Sequence, residues 1–391
     1  MQVRNKFSEL GGETMNYVNR FYISSLLHIV FYSGFYLIYL QSLGLSKTQM
    51  GFLMSLSLIL VALLEVPTGI VADKISKKVS VLLSKILTIP SVLALYLAHS
   101  FPGVLLATLF GALSVALMTG AETGWIYELL SKSGRAKDYP KVYGRLRSFE
   151  MIGGFVGTMM GGFLADFVGM RLTILLTIPF VVASFLVLAT IPGDEAKSGL
   201  SYSLHLLESL KFIKKPPEVI WLFLYANIIG LPVTAFTAFM QLYFYRFLAS
   251  LIAVSAISAF HTVINSVSWC LDVGKYRDVF YRHAGIILPL LLLLAGLNKW
   301  LGFVTLILGT FTFAQAFKEW QGKFQGAIPD EKRATLGSLY SLTAAITNGI
   351  LNALLGWLFD CIGIMHGLII IASFFLGIGF LFSIISRKHG Y

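Results

Sequence analysis

Six apolar runs, one polar stretch and six more apolar runs make up this chain. The runs fall at roughly 19–40, 48–71, 79–99, 103–130, 145–168 and 171–192, then 218–246, 250–273, 284–298, 300–322, 335–361 and 364–386. A helix that crosses the hydrocarbon of a bilayer needs about 20 mostly apolar residues, so twelve of them use roughly 260. The rest of the 391 residues makes short loops and two tails. With 57% hydrophobic and only 13% charged residues, the chain cannot cover a soluble surface. Ordinary soluble domains carry roughly twice that charged fraction. Its 36 glycines suit helices that pack closely in lipid. The pattern excludes a disordered chain, a secreted disulfide scaffold and an ordinary cytosolic enzyme. It predicts an all-α polytopic membrane protein of about twelve transmembrane helices in two halves.

The halves are expected at 1–192 and 218–391, joined by a cytoplasmic linker at 193–217. In the linker Leu204, Leu207, Leu210 and Phe212 alternate with Lys211, Lys214 and Lys215, the pattern of a short amphipathic helix on the membrane surface. Pro216 and Pro217 would end it. The first 18 residues are polar, and no small-residue cleavage site follows the first apolar run. That run is expected to be a retained helix. Of 30 Lys and Arg residues only Lys47, Arg171, Arg246 and Lys299 fall on the outer side when both termini are cytoplasmic. This asymmetry follows the positive-inside rule and predicts a multi-pass protein of the cell (plasma) membrane. It explains the net charge of +11 through anionic lipid headgroups at one face, with no nucleic acid. Cys270 and Cys361 fall near opposite faces, too far apart for a disulfide.

Two short patterns recur. Gly69-Ile-Val-Ala-Asp73-Lys-Ile-Ser76-Lys77-Lys78 is matched by Gly274-Lys-Tyr-Arg-Asp278-Val-Phe-Tyr-Arg282-His283, each between the second and third helices of its half. Gly162-x-x-x-Asp166-x-x-Gly169 is matched by Gly356-x-x-x-Asp360-x-x-Gly363, each closing a fifth helix. Repeats in corresponding positions are the mark of a duplicated transporter. The Gly69–Lys78 stretch resembles the signature loop G-x-L-a-D-r-x-G-r-[RK] of the major facilitator superfamily, with Ser76 where the family often has Gly. Gly153-x-x-x-Gly157-x-x-x-Gly161-Gly162 partly resembles the fifth-helix motif of that family's drug antiporters, without the motif's Pro. The stretch Ile328–Thr335 is similar to bacterial and archaeal members. The resemblance implies two pseudo-symmetric six-helix bundles around a central cavity, lined mainly by the first and fourth helices of each three-helix set. It implies alternating access by rocking.

Several residues stand out against the apolar background. In the repeated loops, Gly69 is expected to let helices approach, and Asp73 to face a helix N-terminus. Lys77 and Lys78 are expected to pair with carboxylates at neighbouring helix ends. Gly274, Asp278 and Arg282 form the degenerate second copy. Glu128 is expected to pair with Arg145 or Arg147 as a further part of a cytoplasmic gate. Polar side chains inside a bilayer helix face protein or water. His28, Tyr32 and Tyr36 in the first run, Asn227, Thr234 and Gln241 in the seventh, His261 and Asn265 in the eighth, Gln315 and Glu319 in the tenth, and Asn348 in the eleventh therefore predict a water-filled path. Any one of them alone can equally be glue between helices. Glu122 lies inside the fourth run, about two turns from its inner end, on a face with Trp125. A carboxyl at that depth is a functional candidate, here for proton coupling. Glu65, beside Pro67, is the second candidate.

Enzyme signatures such as G-x-x-x-x-G-K-[ST], H-E-x-x-H and G-x-S-x-G are missing, and the seven histidines are dispersed. No cofactor or metal is expected. The pattern is that of a secondary active transporter for a small-molecule substrate, expected to act as a monomer among membrane lipids. Its aromatic lining and sparse charge favour proton-coupled export of small amphipathic organic compounds by an antiporter. The alternatives are an importer or facilitator of a sugar, nucleoside or organic anion, and a lipid flippase. The topology has a direct check: single cysteines replacing Lys132 and Lys299 should react with an impermeant thiol reagent from opposite sides of the membrane. Labelling of both from one side would refute the assignment.

Overall fold

A computed structural model describes residues 2–193, 217–329 and 333–389. Most of the linker, with its expected amphipathic helix, lies outside the described residues. Among the described residues the regular structure is all helical, with no strand. The first half contains α1 (Gln2–Leu26), α2 (Tyr36–Ser42), α3 (Lys47–Lys74), α4 (Lys77–Leu97), α5 (Phe101–Met118), α6 (Ala121–Lys132), α7 (Tyr139–Val168), α8 (Met170–Leu175) and α9 (Thr177–Ala189). The second contains α10 (Pro217–Ile229), α11 (Leu231–Thr237), α12 (Met240–Leu248), α13 (Leu251–Cys270), α14 (Arg277–Leu297), α15 (Leu301–Ala327), α16 (Arg333–Ile362) and α17 (Ile364–His389). Eleven helical stretches among these residues are long and apolar enough to cross a membrane. The first apolar run is not one of them, because it is broken between Leu26 and Tyr36.

That break has a local cause and a tertiary one. Ser33 donates its hydroxyl to the Val30 carbonyl at 2.8 Å, a side-chain bond that competes with the helical ladder. The tertiary cause is the glycine stripe of α7. A Cβ on Gly153 would run into the Leu26 carbonyl, and one on Gly161 into that of Phe31. At Gly157 a Cβ would lie 3.0 Å from the Val30 nitrogen. The unwound backbone thus lies directly on α7. Exposed peptide groups cannot be left in lipid, and here they find protein: the Phe31 N–H reaches Thr177 Oγ1 at 3.4 Å, and Ser33 bonds Thr158 at 2.6 Å.

The fourth run is also broken. Gly120 has φ +79°, a left-handed conformation that glycine adopts without a Cβ penalty. Two carbonyls at the end of α5 are taken by side chains. Thr68 donates to Ala116 at 2.9 Å and Ser80 to Leu117 at 2.7 Å. Breaks in the seventh run, at Gly230 and at Ala238–Phe239, divide α10, α11 and α12.

By packing, the chain separates into two units. One comprises Met1–Tyr36, Leu60–Leu200 and Leu251–Ala259; the other comprises Leu37–Ile59, Ser201–Ser250 and Phe260–Tyr391. The first is centred on Phe21, Val81, Trp125, Ile126, Leu130 and Leu146, all buried. Phe21 meets Trp125 edge-on at 4.9 Å, and the indole donates to the Pro192 carbonyl at 3.1 Å. The second is centred on Leu222, Tyr225, Tyr281, Trp320 and Phe324. Trp320 donates its indole N–H to the Leu222 carbonyl at 2.7 Å. Trp125 and Trp320 lie in the fourth run of each half, so the core repeats as the loops do. In the second unit α14 and α17 touch at glycines, since a Cβ on Gly379 would strike the Gly285 carbonyl.

The two kinds of glycine should respond oppositely to alanine. A Cβ at Gly161 meets fixed backbone, and overpacking of this kind costs about 1–3 kcal/mol. Nothing lies within 4 Å of a Cβ built on Gly69, and helix propensity there favours Ala by about 1 kcal/mol. Gly161→Ala should lower the melting temperature in detergent, and Gly69→Ala should leave it unchanged or raise it. The reverse order would contradict the packing.

Candidate functional site

Glu122 occupies the first turn of α6, immediately after the Gly120 break. A helix start carries unsatisfied N–H groups and a positive dipole end, which suit a carboxylate. The residue is only 5% exposed. Packed against α6 is α4, which carries Lys85, 6% exposed. The seam between α4 and α5 is laced by hydroxyls: Ser114 bonds Thr88 at 2.9 Å and donates to the Ser84 carbonyl at 2.9 Å. Lys85, Arg147 and Glu150 all act electrostatically on Glu122. His28, on the unwound stretch after α1, faces Lys85, Glu150 and Arg147. Arg147 is bonded to Glu150 and lies over the Tyr143 ring, 5.0 Å from its centroid.

Glu122 and Lys85 make no hydrogen bond or ion pair to any described residue. A buried lysine and a buried carboxyl on packed helices thus act on each other electrostatically without meeting in a hydrogen bond or ion pair. Sequence reasoning found His28 and Glu122 but missed Lys85 and Glu150. The signal was present in both cases. Lys85 is a lone charge inside the apolar run 79–99, and Glu150 follows Arg147 at ion-pair spacing on a helix. Glu65 is half-buried on α3 and has no charged partner among the described residues.

Several of the other expected cavity residues make contacts within their own unit. Trp125 is a core residue, 1% exposed, because its bulk fills the Phe21 cluster. Tyr32 and Tyr36 stay neighbours, with ring centroids 6.1 Å apart. Tyr32 lies within the break and Tyr36 begins α2, so the first run does not present one helical stripe. Gln241 accepts the Leu37 N–H at 2.9 Å. Asn227 and Asn348 each donate to a carbonyl one turn back in their own helix, Phe223 and Ala344, both at 2.8 Å. Asn265 accepts from the Trp269 indole at 3.2 Å. Gln315 is buried and donates to the Ser268 and Leu271 carbonyls at 2.8 and 3.1 Å, which satisfies the C-terminal end of α13. Glu319 lies 4.0 Å from Lys323 on its own helix. Thr234 and His261 are half-buried on α11 and α13.

The repeated loops are rearranged relative to expectation. Lys77 bonds Glu128 at 2.6 Å, with both side chains about 15% exposed. Asp73 is 61% exposed and lies 3.9 Å from Lys77. Lys78 donates to the Ala189 and Ile191 carbonyls at 2.9 and 2.6 Å, closing the end of α9. Neither Arg145 nor Arg147 pairs with Glu128. Lys77 holds that carboxylate, Glu150 holds Arg147, and Arg145 lies against Tyr22. Gly69 faces open space, so close helix approach is not its role. Ser76, the departure from the family pattern, caps α4 by accepting from Val79. In the second copy Gly274 has φ +53°, and Asp278 bonds Arg282 at 2.7 Å and lies 3.8 Å from Lys323.

The second repeated pattern is a helix-docking device that sequence reasoning left unexplained. Asp360 accepts the backbone N–H groups of Lys47 and Thr48 at 3.0 and 2.7 Å, and the Thr48 hydroxyl at 2.7 Å. It thereby caps α3. Gly356 allows this contact, since a Cβ there would strike the Lys47 carbonyl. In the first copy a Cβ on Gly162 would lie 2.6 Å from Ser255 Cβ, at the start of α13. Asp166 is exposed. Cys270 and Cys361 are both free.

Comparison with known proteins agrees with this architecture. Over 129 residues the chain is 26% identical to the quinolone resistance protein NorA of Staphylococcus aureus (strain Mu50 / ATCC 700699), which is 33% of this chain and 32% of NorA. The match thus spans about a third of the length of that curated relative. Among solved structures, a mutant of the nucleoside transporter NupG superposes with a TM-score of 0.78 at 16% identity, covering 94% of this chain and 98% of NupG. A bacterial homologue of the human lysosomal transporter Spinster, inward-facing and unoccupied, gives 0.73 at 15% identity, covering 97% of each chain. At these identities the likeness shows the fold alone. The family model of the Major Facilitator Superfamily matches residues 14–351, and the chain belongs to that superfamily: it is a multi-pass membrane transporter and not an enzyme.

Proposed function

We propose that this transporter is a proton-coupled exporter of small amphipathic organic compounds, working by alternating access. The observation that carries this reading is Glu122. It is a buried carboxyl at a helix break, without a bonded counter-ion among the described residues. Discontinuous helices in transporters place ion and substrate sites at their broken ends. A carboxyl there can take a proton from one side of the membrane and release it to the other. The similarity to NorA, named for quinolone resistance, supports export of a drug-like cargo.

Glu122→Gln keeps the size of the side chain and its capacity for hydrogen bonding but cannot titrate. In proteoliposomes it should abolish accumulation driven by a pH gradient while leaving downhill exchange. If the variant concentrates substrate with an unaltered dependence on pH, Glu122 is structural and Glu65 is the next carboxyl to test.

Alternating access also needs ties that hold one state and break in the other. The Lys77–Glu128 bond is the strongest candidate in the signature loop. It is short and largely shielded, and charge-assisted bonds of this kind contribute about 1.5–3 kcal/mol. The contact between Asp73 and Lys77 is longer, and Asp73 is mostly exposed. Glu128→Gln should therefore change transport rate more than Asp73→Asn, with both variants inserted at wild-type levels. A larger effect at Asp73 would mean that the tie that matters forms in another access state.

A further inference from the structure

Lys85 has no place in the coupling reaction just described, yet it is a lysine ammonium 6% exposed in a bilayer helix, without a hydrogen bond or ion pair to any described residue. A charge there is costly unless something compensates it. The nearest compensation is Glu122, whose field acts on Lys85, but the two do not meet as an ion pair. The other pair in the neighbourhood is satisfied, since Arg147 and Glu150 bond each other. His28 lies beside the group. Lys85 and Glu122 remain, on two packed helices, neither with a hydrogen bond or ion pair to a described residue.

Glu122 lies at the start of α6, after the Gly120 turn. Lys85 follows Ser84 on α4, whose carbonyl accepts from Ser114 of α5 at 2.9 Å. α4 packs against α6.

We infer that Lys85 and Glu122 form a two-point site for a zwitterionic cargo, with Lys85 taking its carboxylate or other anionic group and Glu122 its protonated amine. This rests on the reading of Glu122 as the transport carboxyl and names the substrate class for that site. A purely cationic cargo leaves Lys85 uncompensated, and a purely anionic one leaves Glu122 so. A neutral cargo leaves both. A zwitterion neutralises both ends and replaces the water they give up. The inference also supplies a route for exchange: a proton arriving at Glu122 removes the partner of the amine, while Lys85 still holds the anionic end.

The test is equilibrium binding in detergent, with no gradient, so that it is independent of coupling. The probes are 4-(piperazin-1-yl)benzoic acid, its methyl ester, which lacks the anion, and 4-(morpholin-4-yl)benzoic acid, which lacks the cation at neutral pH. Wild-type protein should bind the zwitterion about tenfold or more tightly than either analogue, the scale of one charge-assisted hydrogen bond. Lys85→Gln should erase the discrimination between acid and ester without weakening the ester, and Lys85→Arg should restore it. Glu122→Gln should erase the discrimination between the piperazine and morpholine acids. Equal binding of all three probes, no binding of any, or an equal loss for all three in Lys85→Gln overturns the inference. Failure of the coupling reading shows separately, as Glu122→Gln protein that still accumulates substrate against a pH gradient.

Discussion

The rest of the first unit depends on one contact, backbone against backbone, between the glycine stripe of α7 and the unwound stretch after α1. At Gly153, Gly157 and Gly161 there is no room for a side chain. That closeness lets the chain leave the helical ladder inside a membrane and still keep its peptide groups against protein. Hydroxyls complete the arrangement, with Ser33 on Thr158 and Thr177 on the Phe31 N–H. A bulkier α7 would push the first segment outward and expose the break to lipid, where unpaired peptide groups are not tolerated. The stripe thus explains how His28, on this stretch, can be held near the buried charges of α4 and α6.

A second break, at Gly120, creates the position of Glu122. In a continuous helix its carboxyl would lie on a side with Met118 one turn and Ser114 two turns away. In the broken one it lies in the first turn of a new helix, where the positive end of the helix dipole favours a carboxylate. The break is tolerated because Thr68 and Ser80 take the carbonyls it releases. Lys85 comes to the same neighbourhood through the α4–α5 seam. The placement of these charges therefore rests on hydroxyl side chains that satisfy backbone groups.

The duplication visible in the loops also has a physical meaning. Asp360 caps α3 while Gly356 clears the way for it. Its relative Gly162 makes the equivalent approach to the start of α13. Trp125 and Trp320 repeat as core anchors, each donating its indole to a carbonyl. The repeated glycine is a packing residue in both copies, whereas the aspartate caps a helix in the second copy and is exposed in the first.

Hydropathy was enough to read the class of protein and the succession of its helical runs, because bilayer thickness sets run length; the signature loop was read from its resemblance to the family. Glu122 was legible for the same reason, as a charge where charge is expensive. Its partner was not. Lys85 lies 37 positions earlier, and only the packing of α4 against α6 brings the two together. A period of three or four assumes an unbroken helix, and the first and seventh runs, which carry two of the expected polar stripes, are broken. Whether an Asn or Gln faces water or a neighbouring carbonyl depends on which backbone groups lie unpaired nearby. Gln315 closes the end of α13 and Trp125 fills a core for that reason. Periodicity along one segment carries no information about the segment packed against it, so the site was decided by tertiary contacts.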